Sequence, residues 1–214
     1  MTVATSPQIP IRTLQLSPGS HVLIPEVTWQ QYEALVAELG VERRVPRINY
    51  CDGVLELRSP LPAHARPHRI LAYIVTTILD AQGRDWEDFG STTFRKAGRA
   101  GLEPDTCFYI QNAERAKPLL RVDPELDPPP DLAIESDVTS KTTLAAYATL
   151  QVPEVWIYEN AQLKIYRLQD GNYQTCTVSQ IFPELDIVEL LPRLVEQAFQ
   201  LGTSRMLREF RKQL

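Results

Sequence analysis

Two segments of the sequence begin with the same Pro-Asp dipeptide and continue as short apolar runs typical of strands, PDTCFYI and PDLAIES. Alternation along the second run places Asp131, Ala133 and Glu135 on one face. Because the neighbours of Glu135 favour burial, its carboxylate needs a partner, since an unpaired buried charge costs several kcal/mol or more. Two kinds of partner satisfy this need: a divalent cation held jointly with Asp105 of the first run, or a lysine or arginine side chain.

A third acidic residue, Glu56, lies between two leucines in the run VLELR. The dipeptide Asp52-Gly53 precedes this run and predicts a tight hairpin with the strand before it. Alternation places Glu56 on the face opposite the two leucines, so a solvent-exposed face accounts for this residue from the pattern alone.

Lys141 opens a predicted helix that Asp137, Thr139 or Ser140 can cap. A lysine in the first turn opposes the helix dipole at a cost of about 0.3–1 kcal/mol. The residue therefore either faces a negative group, such as a phosphate or a carboxylate cluster, or lies exposed where solvent screens the cost.

Other common catalytic patterns are not supported by the sequence. His64 and His68 have the spacing of two zinc ligands on one helical face, but no third ligand is near and Pro67 interrupts the first turn. The nine glycines never form GxGxxG or GxxxxGK[ST], and GxSxG does not occur. The sequence therefore indicates neither a phosphate-cradling loop nor a serine nucleophile.

The elements that must position these residues are helices interspersed with strands. A capping box at Thr28 and a stop at Gly40 bound the first predicted helix, and apolar spacing predicts a second helix at 64–82. A short helix that contains Leu144, Tyr147 and Leu150 is predicted next, and one or two amphipathic helices are predicted within 190–214. Strands are predicted at 47–51, 54–58, 86–89, 92–96, 105–110, 131–136, 154–159, 163–168 and 173–178. This order predicts an α+β (mixed α/β) domain with helices packed on a central sheet.

The length and composition limit the class of protein. A chain of 214 residues with 43% hydrophobic residues can bury a real core. We expect an N-terminal arm at 1–25, a main domain at 26–192 and a helical extension of the same domain at 193–214. No apolar run is long enough for a membrane span, and the first residues do not have the pattern of a secretory signal. The three cysteines match neither a zinc nor a disulfide pattern, so we expect free thiols in the cytoplasm.

The net charge of −5 conceals an uneven distribution. Nine acidic residues and only three basic residues lie within 101–140, whereas short basic clusters lie elsewhere. A basic footprint over the whole surface is therefore absent, but a carboxylate-rich centre flanked by basic patches fits the sequence. A metal ion would neutralise such a centre and phosphates would lie against such flanks; simple solvated faces also account for the charge pattern. The basic clusters are Arg43, Arg44 and Arg47; Arg66 and Arg69; Arg95, Lys96 and Arg99; and Arg205, Arg208, Arg211 and Lys212.

Four linked blocks of the sequence carry a family resemblance: YCDGVLELRSPLPAH, GLEPDTCFYIQN, PPDLAIESDVTSKT and YATLQVPEVWIYE. In this order they resemble the Uma family of restriction-endonuclease-like proteins, especially its cyanobacterial branch, over about residues 27–192. The resemblance implies the PD-(D/E)xK nuclease fold, a restriction-endonuclease-like central mixed sheet flanked by helices, with an N-terminal helix and hairpin. It also implies carboxylates that hold a divalent metal.

The resemblance assigns roles to individual residues. Asp105 is similar to the aspartate of the Pro-Asp motif, Glu135 to the acidic residue on the following core strand, and Glu56 to an extra acidic residue near the same site. The lysine that the superfamily carries two residues after the glutamate is Asp137 here. The alternative lysine position, four residues before Tyr147, is Thr143, which leaves Lys141 as the nearest substitute.

The hypothesis that follows is a metal-dependent DNA endonuclease. Asp105, Glu135 and Glu56 would hold Mg²⁺ or Mn²⁺, and Lys141 would orient the attacking water or offset the negative transition state. The expected partner is double-stranded DNA, and a homodimer suits the cutting of two strands. The alternatives are a catalytically inactive module that uses the nuclease fold to bind DNA or protein, and a structural protein with no role on nucleic acid.

Overall fold

The computed structural model describes residues 15–40, 46–59, 65–136 and 141–214, and for residues 65, 141 and 142 it describes the backbone alone. Within these ranges the chain forms eleven strands and six helices. The strands are β1 (His21–Ile24), β2 (Arg47–Cys51), β3 (Val54–Arg58), β4 (Glu87–Asp88), β5 (Phe94–Lys96), β6 (Ala100–Leu102), β7 (Thr106–Tyr109), β8 (Leu132–Ser136), β9 (Glu154–Glu159), β10 (Gln162–Gln169) and β11 (Asn172–Cys176). The helices are α1 (Trp29–Leu39), α2 (Ala65–Ala81), α3 (Ala113–Ala116), α4 (Lys141–Thr149), α5 (Ile187–Leu201) and α6 (Thr203–Phe210).

The strands form two sheets. The five-stranded sheet has the order β1-β3-β2-β6-β5 and is antiparallel throughout. The six-stranded sheet has the order β11-β10-β9-β8-β7-β4, and it is mixed because β8 and β9 run parallel while the other pairs are antiparallel. The predicted α+β class with a mixed sheet and flanking helices is therefore confirmed, and the predicted hairpin belongs to a second sheet.

Three apolar clusters hold the layers together. Helices α2, α5 and α6 pack on one face of the six-stranded sheet, where they cover alternate residues of β8 such as Leu132 and Ile134. The other face of β8, including Ala133, packs with residues of α4 and of the five-stranded sheet. Helix α1 covers the far side of the five-stranded sheet. The two sheets and these helices thus enclose the interior in which the predicted acidic residues lie.

Local sequence signals explain several of these elements. Thr28 caps α1 with the predicted capping box, and the helix ends at Gly40, where the backbone has a φ of 80°. Asp52 and Gly53 both have positive φ, as the two-residue turn between β2 and β3 requires. The predicted helix at 64–82 is observed as α2, and the tail forms α5 and α6.

Two strands were not predicted. Strand β1 lies in the segment assigned to an N-terminal arm and pairs with β3 at the sheet edge, where four residues give little alternation to detect. Strand β6 contains Gly101, and a glycine in so short a strand weakens the sequence signal. Among the described residues, no helix is long and apolar enough to cross a bilayer.

Gly101 allows close contact between β6 and α1, because a Cβ at this position would overlap the ring and hydroxyl of Tyr32. We expect Gly101→Ala to lower the free energy of unfolding by about 1–3 kcal/mol, as overpacking does in closed cores. Chemical denaturation measures this. In a double-mutant cycle with Tyr32→Leu, which removes the ring, the double variant should lose less than the two single losses added together; strict additivity would show that the contact is not the cause.

Candidate active site

Asp105 and Glu135 lie next to each other on neighbouring strands. The antiparallel register of β7 and β8 pairs Thr106 with Ile134, so the next pair along this register is Asp105 and Glu135. Directly opposed residues project from the same face of a sheet, with Cβ atoms about 4.5–5.5 Å apart. The structure therefore brings together the two carboxylates that the sequence analysis proposed as partners.

Glu135 is fully buried and both of its oxygens accept hydrogen bonds. The hydroxyl of Tyr147 on α4 donates to Oε1 at 2.6 Å, and Nη2 of Arg58 on β3 donates to Oε2 at 3.3 Å. Burial raises the pKa of Glu135 to about 7; Asp105 adds to this rise, whereas Arg58, the Tyr147 hydrogen bond and Arg47 oppose it. The partner of this buried carboxylate within the chain is thus an arginine, one of the alternatives that the strand pattern left open.

Asp105 joins β8 to helix α2 and to β2. Its Oδ2 accepts hydrogen bonds from the backbone N–H of Ser136 at 2.8 Å and from the Ser136 hydroxyl at 3.0 Å. Nδ1 of His68 on α2 lies 4.0 Å from the same oxygen and 3.4 Å from the Ser136 hydroxyl. The other oxygen, Oδ1, lies 3.5 Å from Nη2 of Arg47. These contacts fix the orientation of the Asp105 carboxylate and leave Oδ1 the less engaged of its two oxygens.

Glu56 is fully buried, and the expectation of an exposed face was wrong. The face of β3 opposite Leu55 and Leu57 meets α4 and the second sheet instead of solvent. Oε2 of Glu56 accepts hydrogen bonds from Asn49 Nδ2 at 3.2 Å and from the Thr143 hydroxyl at 2.9 Å. Its Oε1 is buried without a hydrogen-bond partner in the structure. An unpartnered oxygen on a buried carboxylate is unfavourable, and a cation or a water molecule would satisfy it.

Two arginines of the five-stranded sheet face these carboxylates. Arg47 and Arg58 oppose each other in the register of β2 and β3, as Asp105 and Glu135 do on the other sheet. Like charges placed opposite each other on a sheet repel, and here each guanidinium is instead close to one carboxylate of the facing sheet. We call these four side chains the arginine–carboxylate quartet.

The guanidinium of Arg58 is held charged inside the protein. Burial alone lowers the pKa of Arg58, but Glu135, Asp105 and Glu56 outweigh burial, so that its pKa lies above the ordinary value. Nε of Arg58 is buried without a hydrogen-bond partner. Arg58, on the hairpin strand β3, thus supplies a positive charge to the site. The sequence patterns did not single out Arg58 for this role. The alternation of Glu56 and Arg58 along β3 was the available signal, because it places both side chains on one face.

For several other residues predicted from the sequence, the structure describes the backbone only or nothing at all. Lys141 is the first residue of α4, but its side chain lies outside the described part of the chain, as do Asp137 and His64. Thr143, at one of the positions where the resemblance implies a lysine, is fully buried and bonded to Glu56. The roles proposed for Lys141 and for the three carboxylates stay predictions.

A cleft of about 330 Å³ opens beside Asp105. Arg47, His68 and Arg69 line it together with Tyr73 and Asp105. Cationic and histidine side chains thus border the one quartet carboxylate that contacts this cleft. The lining of the cleft thus combines two arginines and a histidine with two aspartates, Asp88 and Asp105.

The carboxylates fit a hydrated divalent cation better than a closed metal cage. Among the described residues, no group of three or more acidic, histidine or cysteine side chains can hold a metal ion. Mg²⁺, however, commonly binds one or two carboxylates and keeps several waters. The quartet together with Glu56 has a formal charge of −1, and Glu56 Oε1 has no partner. Asp105 and Glu135 could therefore supply two carboxylates to a hydrated Mg²⁺ or Mn²⁺, whereas the structure does not group Glu56 with them as a third ligand.

The fold of the chain matches that of a solved structure. The chain is similar to a solved structure described as a putative nuclease belonging to DUF820 from Anabaena variabilis, with a TM-score of 0.51 and 15% sequence identity over 85% of this chain and 99% of that chain. Because the sequence identity is 15%, this similarity supports a shared fold and not a shared activity. The comparison with curated proteins gave no match.

The chain belongs to the Uma2 family, described as "Putative restriction endonuclease", whose model matches residues 29–201. This match covers the six-stranded sheet, the five-stranded sheet except β1, and α4, and therefore all four residues of the quartet. The match confirms that the four sequence blocks correctly indicated the family to which the chain belongs.

The raised pKa of Glu135 predicts a pH dependence of stability in metal-free protein. The pKa of Glu135 rises from the ordinary value of 4.5 to about 7 in the folded state, so between these pH values the folded state binds the proton more tightly than the unfolded state does. The contribution of this carboxyl group to stability is therefore lost as the pH rises through this range. The free energy of unfolding of the parent relative to Glu135→Gln should fall by up to about 3 kcal/mol from pH 4.5 to pH 8. Urea denaturation in EDTA at several pH values measures it. A difference that does not change with pH would contradict the assignment.

Proposed function

We propose that this chain is a metal-dependent endodeoxyribonuclease of the PD-(D/E)xK type, from the cyanobacterial branch of its family, which hydrolyses phosphodiester bonds in double-stranded DNA. The observation that carries the proposal is that Asp105, which directly precedes β7, continues the β7–β8 register opposite Glu135, beside a cleft that Arg47 and Arg69 also line. Family membership supports the reaction class. The proposed location is the cytoplasm.

The chain's own residues would prepare the site for this chemistry. Asp105 and Glu135 would hold Mg²⁺ or Mn²⁺, with Glu56 as a further acidic ligand or as a partner for a coordinated water. When bound, such an ion lowers the pKa of a coordinated water and offsets charge on the phosphate oxygens. The Ser136 N–H and hydroxyl and the Tyr147 hydroxyl fix the orientation of the two carboxylates. Lys141, as the sequence suggests, would orient the water or offset negative charge.

The DNA backbone would approach through the cleft beside Asp105. Arg47 and Arg69 on its walls would contact phosphates, and Arg95, Lys96 and Arg99 would extend this contact along the duplex. Lys96 already donates to the carbonyl of Thr149 at 3.2 Å, which makes it the least available of the latter three. A homodimer would bring two such sites to the two strands.

A second candidate is a catalytically inactive nuclease-fold module that binds DNA or protein. The observation that favours it is the position of Thr143, which fills a place where the family resemblance implies a lysine and bonds with Glu56 and Asn49. The buried Arg58–Glu135 pair favours it as well, because a guanidinium already neutralises one carboxylate of the proposed metal site.

Conservative variants of the two carboxylates test the nuclease directly. Asp105→Asn and Glu135→Gln should each lower Mg²⁺-dependent nicking of supercoiled plasmid by at least about 100-fold, because each removes a charged metal ligand. Glu209→Gln is the matched control, since this exposed carboxylate lies on α6 and pairs with Arg205. It should cut at the parent rate.

The assay also separates the two candidates. Nicking by the parent with Mg²⁺ or Mn²⁺ that EDTA abolishes supports the nuclease. Binding of DNA without nicking under every metal condition supports the inactive module. If Asp105→Asn or Glu135→Gln cut as fast as the parent, the assignment of these residues would be wrong.

A further inference from the structure

Arg58 has hydrogen-bonding capacity that the folded chain does not use. A guanidinium has five N–H donors, and the one hydrogen bond in the described structure for this side chain runs from Nη2 to Glu135. Its Nε is buried and has no partner. A buried cation with unused donors is costly unless another acceptor completes its contacts.

The surroundings of Arg58 indicate what that acceptor is. On one side it contacts Glu135, and across the hairpin it opposes Arg47, which lines the cleft beside Asp105. The carboxylates near Arg58 accept hydrogen bonds from Ser136, Tyr147, Asn49 and Thr143, and none of them accepts from Nε of Arg58. Within 15–40, 46–59, 65–136 and 141–214, no acceptor lies on Nε of Arg58, so a group from outside these residues can complete its contacts. Arg58 does not line the cleft itself, but its partner Glu135 lies beside Asp105, which does. An oxyanion such as a phosphate suits a guanidinium best, because its oxygens match the donor fork.

Arg47 is less suited to this task. Its Nη1 donates to the backbone carbonyls of Pro104 and Glu103, and its Nη2 pairs with Asp105, so its guanidinium is committed to the loop before β7. Thr143 brings no charge. Of the two guanidiniums in the quartet, Arg58 is therefore the one with donors to spare.

We propose that Arg58 holds a phosphate oxygen of the DNA backbone at the Asp105–Glu135 centre, and that it supplies there the positive charge that neither Asp137 nor Thr143 can supply. This inference rests on the proposed function for its substrate class, DNA, and adds a phosphate-binding residue to that site. An arginine suits this role because its planar donor fork matches phosphate oxygens.

The alternative explanation is that Arg58 only joins the two sheets through Glu135. The two roles differ in one measurable property. A phosphate contact releases a counterion from DNA, so removal of the contact lowers the slope of log K against log salt by about 1. Loss of a purely structural ion pair changes protein stability without changing the number of phosphates neutralised.

The test is the salt dependence of binding to a 20-base-pair blunt duplex in the presence of Ca²⁺, which takes oxygen ligands as Mg²⁺ does. Arg58→Met should lower the slope by about 1, and Arg58→Lys should keep the slope because it keeps the charge. Arg205→Met is the matched control, since Arg205 also pairs with a carboxylate but lies exposed on α6. It should leave the slope unchanged.

A second pair of variants removes the risk of misfolding. Arg58→Met leaves Glu135 buried without its cation, which destabilises the fold. The double variant Glu135→Gln with Arg58→Met removes both charges together, and Glu135→Gln alone is its reference. The slope should again differ by about 1 between these two proteins, and melting temperatures show that both are folded.

The outcomes separate this inference from the proposed function. An unchanged slope in Arg58→Met and in the double variant overturns the phosphate contact, even if the parent nicks plasmid. A slope lowered by about 1 without nicking by the parent supports the phosphate contact and overturns the nuclease. Absence of any salt-dependent binding by the parent overturns both.

Discussion

The centre of this molecule depends on two guanidiniums that face two carboxylates, of which Arg58, Asp105 and Glu135 are buried and Arg47 is partly exposed. Arg47 and Arg58 oppose each other on the hairpin, and Asp105, directly before β7, opposes Glu135 of β8 in the continued register. Either like-charged pair would be unfavourable alone in a medium that excludes water. Each sheet therefore supplies the charge that the other requires, and this requirement fixes how the hairpin and the mixed sheet face one another.

The charges of the centre do not cancel completely. Glu56 adds a carboxylate to the quartet, one of its oxygens has no partner, and one N–H of Arg58 has none. Oε1 of Glu56 and Nε of Arg58 lie on the same face of β3, and leaving both without a hydrogen bond lowers the stability of the folded protein. They are useful in a site that receives a cation and an anion together, as a metal-dependent reaction on a phosphodiester does. Burial is the main cause of the raised pKa of Glu135, and the nearby carboxylate of Asp105 adds to the rise.

Much of this site could be predicted from sequence. The two Pro-Asp runs predicted two strands that carry Asp105 and Glu135, with a shared cation as one possible partner, and the hairpin signal at Asp52-Gly53 was equally direct. The burial of Glu56 could not be predicted, because a period of two shows that a residue lies on the other face of a strand but not whether that face meets water or a second layer. In this protein it meets α4 and the mixed sheet.

Arg58 was overlooked for a related reason. Sequence reasoning left the partner of Glu135 open between a metal ion and a basic residue, and that choice depends on contacts across 77 positions of the chain, between two sheets. Local patterns do not encode such contacts. Strands β1 and β6 were overlooked because four and three residues are too few for a recognisable alternation.

The most direct test of this account is a crystal structure of the protein with Mn²⁺ and a short duplex, with the metal located by its anomalous scattering. The account predicts one anomalous peak between the carboxylates of Asp105 and Glu135, with a backbone phosphate on the guanidinium of Arg58. A structure in which the duplex is bound, no peak lies at these carboxylates and both remain paired with their arginines would contradict it.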